Sequence, residues 1–145
     1  MNDFSNTPGV ISLGPLDSEK AASLLQQAGG IFFPSLYEGF GLPPVEGASQ
    51  GKPIVASRIP PHEEGLADLL PHEVHWVAPL DIHGWCSAFH RVQKGELSPP
   101  SEKSRKSILD RFSVHRLASK MHQIYCSELE KNGHSMLGSS TERTL

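Results

Sequence analysis

The sequence predicts an α/β domain: a Rossmann-like parallel sheet with flanking helices. Three observations point there. Short, continuous apolar runs recur at 10–13 (VISL), 31–33 (IFF), 54–57 (IVAS) and 74–78 (VHWVA), as in strands buried on both faces. Segments with helical periodicity alternate with them, which is the pattern of a parallel sheet crossed over by helices. The connectors are short and are punctuated by Gly and Pro.

Each element has its own justification. Residues 9–14 (GVISLG) read as a buried strand that ends in the Gly14-Pro15 turn. Asp17 or Ser18 can cap a helix running to about Ala28, with Ala21, Leu24, Leu25 and Ala28 on one apolar face. Gly29-Gly30 ends it. Residues 31–33 form a second strand, closed by Pro34-Ser35, and a loop spans residues 36–42. The next helix starts at Pro43-Pro44, where a missing N–H costs nothing, and ends near Gly51. A third strand covers 53–57, a short helix 62–70 and a fourth strand 74–78. Residues 81–92 are helical, with Trp85, Ala88, Phe89 and Val92 on one face. A linker at 94–100 leads to a weakly amphipathic helix at 101–112. Ser113 then caps a clearer helix in which Val114, Leu117, Ala118, Met121, Ile124, Tyr125 and Leu129 keep helical spacing. The polar, small-residue tail at 132–145 and the N-terminus at 1–9 are expected to be disordered, leaving 10–131 as the folded domain.

Composition narrows the function. The 145 residues, 37% hydrophobic and 20% charged, suit one globular domain. No apolar run approaches the ~20 residues of a membrane span, and the N-terminus lacks the pattern of a secretory signal. A net charge of -3 with scattered basic residues argues against a nucleic-acid partner. Cys86 and Cys126 make no CxxC pair and read as buried small apolar groups in a reducing, cytoplasmic compartment. The eight histidines, including His72, His75, His83 and His90, show no zinc-ligand spacing, so no metal is expected. Trp76 and Trp85 are expected in the core.

One loop carries chemistry: residues 35–46, SLYEGFGLPPVE, between a strand end and a helix start. The unpaired first-turn N–H groups and the helix dipole attract anions there. Gly39 and Gly41 bracket Phe40 and let the backbone turn tightly. Because Pro43 and Pro44 cannot donate, the donors would be the N–H groups of Phe40, Gly41 and Leu42. Glu38 and Glu46, the latter expected in the helix's first turn, would repel a phosphate at close range but suit hydroxyl donors, since an ionised carboxylate only accepts. Sugar hydroxyls beside a phosphate therefore fit better than phosphate alone. A ligand-free glycine turn with a helix-terminal carboxylate fits the same residues equally well.

Residues 33–57, FPSLYEGFGLPPVEGASQGKPIVAS, resemble the retaining GT-B glycosyltransferases of the group 1, or family four, class. The carriers are two glutamates separated by seven residues (an EX7E motif, Glu38 and Glu46), EGFGLP inside it, and the GKPIVAS strand after it. Fainter similarity extends over about residues 10–130. The resemblance implies that the chain is the C-terminal half of a GT-B fold lacking its first two strands. It implies a UDP- or GDP-linked nucleotide-sugar donor as substrate, with no cofactor, and transfer to an acceptor hydroxyl with retained anomeric configuration. Glu38 would be the catalytic candidate, meeting the donor sugar's hydroxyls. Phe40, Gly41 and Leu42 would offer N–H groups to sugar and diphosphate, and Glu46 would hold the ribose. Arg58, at the carboxyl end of the third strand, could lend positive charge to the diphosphate or stand as a solvated loop residue. Glu63 and Glu64 suit either helix capping or ligand contact, and Tyr37 and Phe40 either ligand or loop packing.

Family members are usually more than twice this length, with the active site between two domains. The strand at 10–13 would then have to pair directly beside 31–33 or stay detached, leaving an edge open. The expectation is a chain inactive alone, which pairs with a separate N-terminal-half glycosyltransferase chain, or else serves as a non-catalytic nucleotide-binding or interaction subunit. It would be cytoplasmic, peripheral to a membrane only through such a partner. The closing helix would pack structurally.

Overall fold

The computed structural model describes residues 7–138, without the side chains of 132–138. The disorder expected at 1–6 and 139–145 falls outside the described residues. Three parallel strands, β1 (Ile31–Phe33), β2 (Ile54–Ser57) and β3 (Val74–Val77), lie in the order β1-β2-β3. The register pairs Ile31 with Ile54 and Ile54 with Val74. The helices are α1 (Ser18–Gln27), α2 (Leu42–Ser49), α3 (Pro60–Gly65), α4 (Ile82–Gln93), α5 (Glu102–Arg111) and α6 (Val114–Gly138). This is the expected sheet with flanking helices.

Strand β2 is central because its sequence tolerates burial on both faces. Ile54, Val55, Ala56 and Ser57 are all at most 1% exposed. Ile54 and Ala56 point into a core built with Ile31, Val45, Ala48, Leu66, Val74 and Ile108, which joins α2, α3 and α5 to the sheet. Val55 points the other way, to Val77, Ala88, Phe32, Trp85 and Val92, under α4. The alternation follows from the period of two in a strand. Helix α2 lies flat on β1 because Gly47 has no side chain: a Cβ there would stand 2.9 Å from the Phe33 ring.

Local caps match the sequence. Asp17 accepts from Lys20 N–H at 2.8 Å and starts α1. Asp81 accepts from Gly84 N–H at 2.9 Å and starts α4. Ser101 and Ser113 do the same for α5 and α6, both at 3.2 Å.

Five expectations are corrected. Residues 10–13 form no strand, and Ile11 is 82% exposed. Helix α1 touches the core only through partly buried residues, Leu25 with Ala28 at its C-cap, and has no fully buried one. The outer edge of β1 has no strand partner among the described residues. Helix α3 begins at Pro60 and ends at Gly65, not at 62–70, because the two prolines occupy its first turn and the chain turns from Leu66 onward. Cys86 and Cys126 are exposed, lying on the outer faces of α4 and α6. Helix α6 runs to Gly138, past the expected end near Lys131, since no proline interrupts it. Its apolar stripe does not pack as expected: Val114, Leu117, Met121, Ile124, Tyr125 and Leu129 are all exposed. Trp76 and Trp85 are half-buried and pack against the two cores.

One buried carboxylate locks α5 to the sheet. Glu73, just before β3, is 2% exposed. Its carboxylate accepts from Leu70 N–H at 2.8 Å and from Ser101 N–H at 2.7 Å. Burial pushes its pKa up, but donors from Leu70, Ser104 and Ser101 outweigh that and hold it down at about 2. Arg111 adds a second tie, an ion pair to Asp68 at 2.7 Å and hydrogen bonds to the carbonyls of Glu64 and Gly65.

Two outcomes follow from this packing. Ile54→Ala should cost about 2–5 kcal/mol in urea denaturation, since it empties the middle of the larger core. Glu73 has a folded pKa below its unfolded value, so its contribution is present above the unfolded pKa. It is lost as pH falls from the ordinary 4.5 toward about 2. Acid titration of wild type should therefore lose on the order of 3 kcal/mol across that window that Glu73→Gln does not lose.

Candidate functional site

The loop between β1 and α2 sits at the carboxyl end of the parallel sheet, where ligands bind in open α/β folds. Its turn depends on Gly41, which caps α2 in the left-handed region at φ 77°, ψ 46°. A side chain there is strained by that φ. It would also stand 3.0 Å from Cδ2 of His62. No side chain caps α2. Pro43 and Pro44 occupy its first turn and have no N–H to offer. The N–H groups of Phe40, Gly41 and Leu42 therefore gather at this helix start with no backbone turn bond among the described residues. A helix start of this kind is dipole-positive.

The predicted residues divide. Glu38 is half-buried, and Ser35 Oγ donates to its Oε1 at 2.7 Å. Ser35 was not anticipated, although a Ser three residues before a Glu is a spacing at which the hydroxyl reaches back. Phe40 packs edge-on against Phe112 with ring centroids 5.8 Å apart, so its ring anchors the loop to the end of α5. Tyr37 is 87% exposed. Leu42 opens α2 as its first residue and is exposed. Glu46 is exposed but lies in the second turn of α2, not the first, because the helix begins at Leu42 rather than at the prolines.

Arg58 follows β2, and its N–H donates to Val77 carbonyl at 2.8 Å. Its guanidinium lies 3.7 Å from the Glu63 carboxylate, with side chains 63% and 52% exposed. Such an exposed pair stabilises little and leaves the arginine free to swing. Glu63 thus meets Arg58, and α3 has no side-chain cap, so neither Glu63 nor Glu64 caps this helix.

The residues that sequence reasoning missed lie beneath the loop. His62 is fully buried, with Nδ1 3.0 Å from the Ser57 carbonyl oxygen. Its Nε2 and the Ser57 hydroxyl are buried without a partner. A lone His after two prolines gives no sequence signal of such a position. His75 is half-buried at the opposite end of its strand from the loop, facing Arg91 Nη1 at 3.1 Å, and its pKa is lowered by burial and by that positive charge. Among the described residues no three His, Cys, Asp or Glu side chains cluster as a metal site, and no helix is long and apolar enough to cross a membrane.

Comparison with known proteins bears on the family and the fold. The family model for glycosyl transferases group 1 matches residues 2–94. An MMP α-(1→4)-mannosyltransferase of Mycolicibacterium hassiacum is 33% identical over 119 residues, covering 76% of this chain and 27% of that protein. An uncharacterised glycosyltransferase of Methanocaldococcus jannaschii is 26% identical over 128 residues, covering 86% of this chain and 32% of that protein. The chain thus spans about a third or less of the length of these relatives. The solved sucrose-phosphate synthase of Thermosynechococcus elongatus shares the fold with a TM-score of 0.69 at 24% identity, over 82% of this chain and 30% of that one. The chain belongs to the group 1 glycosyl transferases, and its parallel sheet and flanking helices are a Rossmann-like C-terminal half of the GT-B fold.

Proposed function

We propose that this chain is the donor-binding part of a retaining glycosyltransferase, which takes a sugar from a UDP- or GDP-linked donor and passes it to an acceptor hydroxyl. The observation that carries the reading is the left-handed turn at Gly41, which gathers uncapped N–H groups between Glu38 and Glu46. A nucleotide sugar presents the matching chemistry: hydroxyls at both ends and a diphosphate between. The N–H groups of Phe40, Gly41 and Leu42 receive sugar and diphosphate. Glu38, steadied by Ser35, accepts from sugar hydroxyls. Glu46, set back on α2, accepts from the ribose hydroxyls. As the bond from sugar to phosphate breaks, negative charge grows on the diphosphate. The fixed N–H dipoles stabilise that charge without reorganising. Arg58 is the candidate cation, released from Glu63 when a diphosphate arrives. The acceptor side and closure of the cleft come from the other half of the GT-B fold.

A second reading is a nucleotide-binding subunit without catalysis. One observation favours it: Arg58 is exposed and paired with a carboxylate, which leaves the diphosphate held mainly by neutral N–H groups.

Binding separates these from an idle loop. Titrating the isotope-labelled chain with UDP-glucose and GDP-mannose should move the Phe40, Gly41 and Glu46 amides for one of them. Glu46→Ala should weaken binding of the free nucleotide about tenfold, the scale of one charge-assisted hydrogen bond. Glu38→Ala should spare the free nucleotide and weaken the nucleotide sugar by a similar factor. Equal affinities for wild type and both variants would remove the assignment. Sugar transfer appearing only after an N-terminal-half chain is added would favour the enzyme over the accessory subunit.

Gly41→Ala should abolish donor binding while the fold persists, because the strain at positive φ and the crowding of His62 both fall on the loop. A variant that binds normally and gives an unchanged spectrum for Phe40–Leu42 would contradict the role given to this turn.

A further inference from the structure

Beneath the loop lies a side chain that the donor chemistry above does not use. We propose that His62 is a positioning residue: a strut that holds Gly41 in its left-handed turn and so aims the loop N–H groups outward. The ligand part of this inference rests on the donor-site reading; the structural part does not.

The ring spans the gap between the end of β2 and the start of α2. At one end Nδ1 lies 3.0 Å from the Ser57 carbonyl oxygen. A carbonyl only accepts, so Nδ1 is the ring atom that donates here, and in that tautomer Nε2 is an acceptor. At the other end the ring edge meets Gly41: a Cβ there would stand 3.0 Å from Cδ2 and 3.7 Å from Nε2. The ring is fully buried, so the space is filled on all sides.

The backbone that carries the ring is stiff. Pro60 and Pro61 hold the first turn of α3. Gly65 lets α3 slide beneath α2, since a Cβ at that position would stand 3.1 Å from Val45 Cγ2. Nε2 has no partner among the described residues. An aliphatic side chain would fill this space without leaving a buried acceptor unpaired. The polar ring is therefore explained by its two ends: a tether to Ser57 and a polar edge under the turn, ready to receive an N–H or hydroxyl that approaches from the loop.

The test uses the full chain and two variants that divide the ring. His62→Asn keeps a donor near the Ser57 carbonyl but is too short to reach Gly41. His62→Gln reaches toward Gly41 but gives up the tether. Backbone order parameters of the ligand-free chain are measured at residues 39–42 and at 54–57. The wild-type loop should be rigid, near 0.85, and His62→Asn should drop it toward 0.6 while β2 stays rigid. His62→Gln should restore part of the loss. Affinity for whichever of UDP-glucose and GDP-mannose the wild type binds should fall about tenfold in His62→Asn. A loop as rigid in both variants as in wild type overturns the proposal. Rigidity lost equally from the loop and β2 also overturns it, because the ring would then be packing alone. Should His62→Asn fail to fold, loop order in His62→Gln falling below wild type supports the proposal and equal order overturns it. A wild type that takes neither donor defeats the donor-site reading, and the loop order parameters then judge His62 by themselves.

Discussion

The arrangement hangs on burying β2 on both faces. A strand with no exposed side must be short, apolar and paired along both edges, and IVAS meets each demand between β1 and β3. Its two faces recruit different helices: α2, α3 and α5 over Ile54 and Ala56, α4 over Val55. Parallel pairing brings the carboxyl ends of all three strands to one side. The loop after β1 and the loop after β2 therefore face the same space, and that proximity lets His62 on α3 reach Gly41 at the start of α2.

The loop's chemistry then comes from what it lacks. Two prolines contribute no N–H to the first turn of α2, the cap has no side chain, and Gly41 turns the chain through a conformation that other residues adopt at a cost. Among the described residues no backbone turn bond is made by the N–H groups of Phe40, Gly41 and Leu42. Two carboxylates flank the loop: Glu38 is held by Ser35, and Glu46 lies one turn along the helix. Anion-attracting and hydroxyl-attracting groups can coexist only because they are kept apart in this way.

Elsewhere the domain leaves surface unspent. Among the described residues the outer edge of β1 carries no strand, the apolar residues at 10–13 face solvent, and the stripe along α6 is exposed. Against this, α5 is held by a buried carboxylate and by Arg111, which gathers Asp68 and two carbonyls of α3. The polar anchors lie where the apolar core thins, at the rim of the larger cluster.

The sequence by itself determined the elements whose causes are local. Continuous apolar runs marked β1, β2 and β3; Asp17, Asp81, Ser101 and Ser113 marked helix starts; the glycine-proline pattern at 39–44 marked the loop, and its flanking glutamates marked the family. Tertiary structure decided what depends on a neighbour. The run at 10–13 has strand character, but a strand exists only beside another strand, and these residues pair with none among the described residues. The stripe on α6 and both cysteines look like core in sequence, yet burial requires a partner surface that periodicity does not supply. Glu73 and His62 carry no sequence signal, because their roles come from groups far along the chain or across a turn: Ser101 for one, Ser57 and Gly41 for the other. Contact between chain segments is what turns an ordinary glutamate or histidine into a buried one, and only the folded chain brings those segments together.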